Sequence, residues 1–446
     1  MKKILLFGAG KSATVLIEYL IKEGETNNWF LIVADASEEI IESKTKKATN
    51  TQAVQLDISD ETKRKQLIAG ADIVISMMPA HLHFIIAKDC VALKKNLLTA
   101  SYVDEAIRSL EQEIENNNLL FLCEMGLDPG IDHMSAMQII HKITDNGGVV
   151  TSFKSHCGGL IAPESDNNPW HYKISWAPRN VVLAGTAGAV YKNKGNTTRL
   201  SYKEVFEHCP LITVPTLNQL AWYPNRDSLS YIPLYKLDSA ETFIRTTLRY
   251  PSFCRGWNNI VHLGLTDTND MAQIENCNTY EEWFNKKLFF IEKKEMNKEQ
   301  YFELYVEEAY RKELREQFDY LGLYDKKKLP DAFSCSADIL QKAVETKLIM
   351  QPDDKDMIVM LHEIEYKTGN RQSAINSCLI VKGKDNLHTA MAKTVGLPLA
   401  ISAKLILQNK IPLTGLHIPV VKEIYEPVLN ELQKHGIVFS EHQIIT

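Results

Sequence analysis

Gly8-Ala9-Gly10-Lys11-Ser12-Ala13 directly follows a short apolar run, Ile4 to Phe7, and precedes a helical pattern. It fits G-x-G-x-x-A in the strand-turn-helix context that gives this motif meaning. Gly8 permits the tight turn, Gly10 lets a pyrophosphate approach the backbone, and small Ala13 lets helix and strand pack closely. Lys11 and Ser12 open the helix, whose free N–H groups face an anion. Asp35 ends the second apolar run, where a carboxylate hydrogen-bonds both ribose hydroxyls of NAD and repels the 2′-phosphate of NADP. Ala36, Ser37, Glu38 and Glu39 come next, so no adjacent cation is ready to clamp that phosphate. The expected cofactor is NAD, with NADP as the alternative. Asp57 is a candidate adenine-edge contact, and Ser76 to Pro79 lie where nicotinamide-side contacts occur.

Four further clusters carry chemistry: Thr99 to Tyr102, Glu124 to His133 (EMGLDPGIDH), Cys157 to Trp176 (CGGLIAPESDNNPWHYKISW), and Trp222 to Asp227 with Arg245 to Tyr250. The first two follow strand candidates and fall at the carboxyl edge of a sheet, where ligands of such folds bind. Arg226, Arg245 and Arg249, with Lys173, place several cations on loops. That is the chemistry needed to hold a substrate with more than one carboxylate. The eight cysteines contain no C-x-x-C pair and read as reduced thiols. No spacing suggests a metal site, and His81 and His83 read as loop residues.

These residues need a scaffold. Ile4–Phe7, Leu31–Ala34, Val54–Leu56, Ile73–Met77, Leu97–Ala100 and Leu119–Cys123 are strand-like runs separated by helical spacing, which predicts a doubly wound parallel sheet. The fold class expected is α/β: a Rossmann-type domain over residues 1–128 and 390–446, with an inserted α+β substrate-binding and dimerisation domain over 129–389. That insert includes a helical subdomain at about 270–350, in which Asn297 to Gln317 reads as helical. A hairpin is expected around Thr368-Gly369-Asn370, and the helical candidate Thr389 to Leu407 is expected to return to the first domain. The length of 446 residues suits two or three domains. A formal net charge of −6 gives no basic field for nucleic acid. No run approaches 18 consecutive apolar residues, so no membrane is expected and a cytoplasmic protein is.

Together, EMGLDPGIDH, the Cys157–Trp176 segment, YPNRDS, TLRY and the GLPLAISAKLIL segment from Gly396 resemble saccharopine reductase, the glutamate-forming saccharopine dehydrogenase of lysine metabolism. The likeness spans essentially the whole chain. It implies reversible oxidation of the secondary amine of saccharopine by a nicotinamide cofactor, then imine hydrolysis to L-glutamate and 2-aminoadipate 6-semialdehyde. By resemblance, the substrate is held at Ser101, Asp128, Tyr172 or Lys173, Arg226 and Thr247-Leu248-Arg249. Cofactor contacts fall on Gly10 to Ala13, Asp35, Asp57, Ser76 and the Met125-Gly126-Leu127 backbone. Asp128 is the first choice for deprotonating the amine, while Tyr102 and Cys157 occupy positions near the reacting centre. One departure stands out: fungal NADP-using relatives carry a small residue and Arg where Asp35 and Ala36 stand, whereas NAD-using animal relatives carry an acidic residue. A homodimer is expected. The competing readings are an imine reductase of the carboxynorspermidine or homospermidine type, whose cationic substrates call for acidic pockets, and a non-catalytic dinucleotide-binding protein.

Overall fold

The computed structural model describes residues 1–45, 48–217 and 219–445. They form two compact units: Met1–Val150 with Pro233–Leu237 and Ile364–Thr446, and Thr151–Ile232 with Asp238–Glu363.

The first unit is built on β1 (Lys2–Phe7), β2 (Trp29–Asp35), β3 (Thr51–Gln55), β4 (Ile73–Ser76), β5 (Asn96–Thr99) and β6 (Leu120–Leu122). All are parallel, in the order β6-β5-β4-β1-β2-β3, as a doubly wound sheet requires. The order reverses between β1 and β4, so their carboxyl ends border the crevice where ligands of this architecture bind. Ile4–Phe7 and Ile73–Ser76 are buried throughout, consistent with a sheet covered on both faces. A seventh strand, Gly415–His417, pairs in parallel with β6 and comes from nearly 300 residues further along the chain.

The return was expected; this strand was not. The helix Ala390–Leu407 is apolar and long enough to cross a membrane, yet 83% of it is buried inside the protein. It lies against α1 (Thr14–Asn27), and Gly396 makes the approach possible. A Cβ there would stand 3.0 Å from Leu16 Cβ and 3.2 Å from Ser12 O. Lys404 Nζ then links this helix to Glu23 of α1 at 3.1 Å and to Glu431 of the helix Lys422–Lys434 at 3.0 Å.

The division between units differs from the expected one at residues 128 and 390. The helix Ile131–Asp145 stays with the nucleotide unit because it packs on the helix Lys422–Lys434, with His141 Nδ1 2.7 Å from Tyr425 Oη. The hairpin Asp356–Thr368 and Arg371–Lys382 forms as expected around Gly369 (φ 58°) and Asn370. Its second strand belongs to the same unit because it pairs antiparallel with Ser440–Ile445.

In the second unit the strand Thr242–Arg249 runs parallel to Val149–Ile161 and antiparallel to Leu220–Pro224. Helices Pro251–His262, Tyr280–Glu292, Lys298–Tyr305, Arg311–Leu321 and Ser336–Lys347 enclose a core with Trp170, Trp257, Trp283 and Phe318. The stretch Asn297–Gln317 is helical as expected, but as two α-helices separated by the 3-10 turn Glu308–Tyr310. Asn297 and Gln300 form a reciprocal capping box at the first start. Val306 turns extended, its N–H donating to Phe302 O at 3.3 Å, and the Arg311 guanidinium binds the carbonyls of Phe302, Glu303 and Val306 at 2.9–3.1 Å. Side-chain satisfaction of the helix end stabilises the break.

Candidate active site

At the carboxyl edge of the first unit, Gly8 has φ +95°, and a Cβ on it would stand 2.9 Å from the Met77 carbonyl, so glycine is required. Gly10 differs. A Cβ there would meet nothing within 4 Å, which leaves an open cradle beside the backbone where a pyrophosphate fits. Lys11–Ala13 form a 3-10 turn before α1, with Ala13 N–H donating to Gly10 O at 3.0 Å. The Asp35 carboxylate is pinned at the end of β2 by Ala9 N–H at 2.7 Å and Ser37 N–H at 3.1 Å. It is therefore fixed beside the glycine turn, while Ala36 is exposed. These residues fit a dinucleotide. Asp57 is exposed and binds Ser59 N–H and Oγ, bonds that hold its carboxyl below its ordinary range.

Two cofactor expectations need correction. Ser76 is fully buried, and its hydroxyl is turned to His83 Nδ1 at 2.8 Å, so its side chain is not presented to a ligand. The amides of Met125 and Gly126 are committed to Thr99 O and Pro129 O, and Leu127 O accepts from Asp132 N–H. Only remaining groups of this turn can serve a cofactor. The turn itself is rigid. Gly130 has φ +146°, and a Cβ there would fall 2.1 Å from Gly126 O. Asp128 precedes a cis proline and is half-buried on this turn.

Beneath it lies a buried network that the sequence reading left unassigned. His133 Nε2 is 2.8 Å from Glu124 Oε2, and its Nδ1 is 2.6 Å from Tyr235 Oη. Glu124 Oε1 accepts from Val103 N–H at 3.1 Å, which fixes the segment that carries Ser101 and Tyr102. Both Ser101 and Tyr102 are half-buried. His83 is also not a loop residue: it opens the helix His83–Ala92, buried, with Nε2 2.7 Å from Ser101 Oγ.

In the second unit, strand register brings several of the expected substrate residues onto one face. Cys157, Thr247 and Tyr223 are paired across three adjacent strands, so they share one face. Arg249, two residues beyond Thr247, lies on that face too. Its guanidinium is over the rings of Tyr172 at 5.3 Å and Phe253 at 5.5 Å. Arg249 is 5% exposed, donates to Leu248 O at 2.8 Å and Gly159 O at 3.5 Å, and its Nε has no partner among the described residues. No carboxylate pairs with Arg249 among the described residues. A buried cation without a counter-ion is costly unless a ligand supplies one, which makes Arg249 a candidate anion site. The Tyr172 hydroxyl accepts from Trp176 Nε1 at 3.0 Å, which orients the ring.

Other substrate expectations resolve differently. Lys173 is buried but salt-bridged to Asp354 at 2.7 Å, so its charge is already neutralised and it is not a substrate cation. The Leu248 side chain is buried with 0% exposure, leaving only its backbone for contact. Arg245 is stacked 4.4 Å from the centre of the Tyr231 ring. Arg226 is exposed, with φ +51°, and Cys157 is buried on its strand.

Comparison with known proteins bears on the family and the fold. The family model for the saccharopine dehydrogenase NADP binding domain matches residues 4–122, and that for the saccharopine dehydrogenase C-terminal domain matches residues 126–437. The chain is 35% identical to the mitochondrial alpha-aminoadipic semialdehyde synthase of Bos taurus over all of its own length and 48% of the relative's. It thus spans about half the length of the mammalian proteins it matches. It is 31% identical to the saccharopine dehydrogenase [NADP(+), L-glutamate-forming] of Saccharomyces cerevisiae, covering 99% of each chain. The solved apo saccharopine dehydrogenase (L-Glu forming) of that yeast superposes with a TM-score of 0.87 at 30% identity, with both chains fully covered. With two family models matched end to end and the fold shared throughout, this chain belongs to the saccharopine dehydrogenase family.

Proposed function

We propose that the chain catalyses the reversible oxidation of saccharopine to L-glutamate and 2-aminoadipate 6-semialdehyde in lysine metabolism, with a nicotinamide dinucleotide as cofactor. The observation that carries this reading is Arg249, a buried guanidinium in an aromatic frame with no carboxylate partner among the described residues. A tricarboxylate such as saccharopine supplies the missing charge. A cationic polyamine precursor does not, which weighs against the carboxynorspermidine and homospermidine alternatives.

A nicotinamide dinucleotide bound at the glycine turn and Asp35 would supply a hydride acceptor for the carbon bearing the secondary amine. The protein must remove the amine proton first and activate water afterwards, and a positioned carboxylate can do both. Asp128, on the rigid turn at the sheet edge, is assigned that role. Tyr102 and Cys157 are assigned to relaying or tuning the proton. Ser101 and Arg249 hold carboxylates.

NAD is the cofactor we favour. The fungal relatives are named for NADP(+). Here, however, the Asp35 carboxylate is held by two backbone N–H groups at the ribose end of the cradle, where it receives two hydroxyls and repels a phosphate. The cysteines are thiols, which supports a reducing compartment such as the cytoplasm. A homodimer is supported by the strand Ser440–Ile445, which ends its sheet with Ile444 exposed. The deciding assay follows reduced-cofactor absorbance with purified protein, saccharopine and either dinucleotide. Turnover is expected, with kcat/KM at least about tenfold higher for NAD, as one desolvated charge repulsion gives. No turnover with either cofactor refutes the reaction, and an equal preference for NADP refutes the role of Asp35.

A further inference from the structure

Ser76 and Ser101, at the carboxyl ends of adjacent strands β4 and β5, meet on one imidazole. The His83 Nδ1 is 2.8 Å from Ser76 Oγ, and its Nε2 is 2.7 Å from Ser101 Oγ and 3.3 Å from Thr99 Oγ1. The ring is 3% exposed. Burial pushes its pKa down to about 4, with His81 lowering it further and Asp104 opposing. At neutral pH it is therefore uncharged and carries one N–H, so one nitrogen donates and the other accepts.

Ser76 determines which. Its hydroxyl is fully buried, and His83 Nδ1 is its one side-chain partner among the described residues. A buried O–H left without an acceptor costs the desolvation of that group, so Ser76 donates to Nδ1. Nε2 must then carry the hydrogen and donate to Ser101 Oγ. Thr99 Oγ1, also buried, accepts from the Ser101 amide at 3.2 Å, and its 3.3 Å contact with Nε2 is beyond the normal bond length, so it does not compete with the 2.7 Å bond from Nε2 to Ser101 Oγ. With its oxygen already accepting from the ring, half-buried Ser101 is left with its own O–H to donate outward. That is the polarity a carboxylate requires. The opposite tautomer would turn the Ser101 O–H inward and present lone pairs to the ligand, which repel an anion.

We propose that His83 is a positioning residue, locked by Ser76 as the Nε2–H tautomer, that makes Ser101 a hydrogen-bond donor for a substrate carboxylate. It touches no reacting atom. The identity of the carboxylate rests on the saccharopine reading, but the tautomer does not. Long-range 1H–15N correlation on the ligand-free protein should show His83 protonated at Nε2; protonation at Nδ1 overturns the proposal. Calorimetric titration with saccharopine should show binding weakened about tenfold or more in His83→Ala, the size of one lost bond to a charged group. His83→Gln, whose amide nitrogen reaches the Nε2 position, should retain more affinity than His83→Asn. Equal losses in the Gln and Asn variants, or losses that follow Tm, would mean a purely structural role and overturn it. Wild-type turnover tests the saccharopine reading separately, since the tautomer is read without any ligand.

Discussion

Arg249 concentrates the binding chemistry at one residue, because its counter-charge must come from the ligand. Arg249→Met removes the charge while keeping much of the apolar contact with Tyr172 and Phe253. We expect the KM for saccharopine to rise about 100-fold, the upper range for a buried charge-assisted pair, with dinucleotide affinity unchanged by fluorescence titration. Arg249→Lys should fall between, since a point charge replaces a planar fork. Unaltered KM in the Met variant would remove Arg249 from the substrate site. At this scale the sequence is informative where a local motif carries the meaning, as with Gly8 and Gly10. It is uninformative where the partner is remote. Lys173 looks like a free cation until Asp354, 181 residues away, is seen at 2.7 Å. His133 and Glu124 stand in one local cluster, but Tyr235, 102 residues on from His133, is what turns them into a network. His83 has no motif at all, and only the closing of β4 and β5 side by side reveals its two serines.

Elements were read well where apolar period dominated and poorly where short segments depend on partners. The central strands of the nucleotide sheet are legible because they are buried on both faces, and the late hairpin because turn residues mark it. Gly415–His417, three residues long, has no period to detect and exists because β6 offers an edge. The interruption at Val306 was hidden because the residues on both sides of it are good helix formers; Arg311 caps the break from the following helix. The returning helix offers a pH test. Burial pushes the Glu431 carboxyl up, but Lys434 and Lys404 outweigh it and hold the pKa at about 2, below the ordinary 4.5. Its contribution to stability is therefore complete above about pH 4.5 and is lost as pH falls through about 2. In Glu431→Gln we expect a lower Tm than wild type at pH 6, by a constant margin down to about pH 5. That margin should shrink steadily on further acidification. A margin that does not vary with pH would show that the ion pair is not its source. Solvent at the partly exposed pair keeps the effect modest.

For the molecule as a whole, average composition concealed both units. A net charge of −6 says nothing of Arg249, and 45% hydrophobic residues say nothing of a membrane-length helix that is buried. What the architecture adds is an order of events. The nucleotide sheet is opened by residues at the start of the chain and closed at β6 by Gly415–His417, while α1 receives its cover from Ala390–Leu407. A ribosome releasing this polypeptide therefore exposes six strands and the apolar side of α1 long before their last neighbours exist. The intervening unit must be synthesised while that surface waits, a state prone to aggregation and suited to chaperone capture. A fragment of residues 1–150 should accordingly be insoluble or lack a cooperative thermal transition. Co-expression with a fragment of residues 364–446 should recover soluble, dinucleotide-binding protein, measured by pull-down and fluorescence titration. If the first fragment alone is soluble and melts cooperatively, vectorial synthesis imposes no such wait.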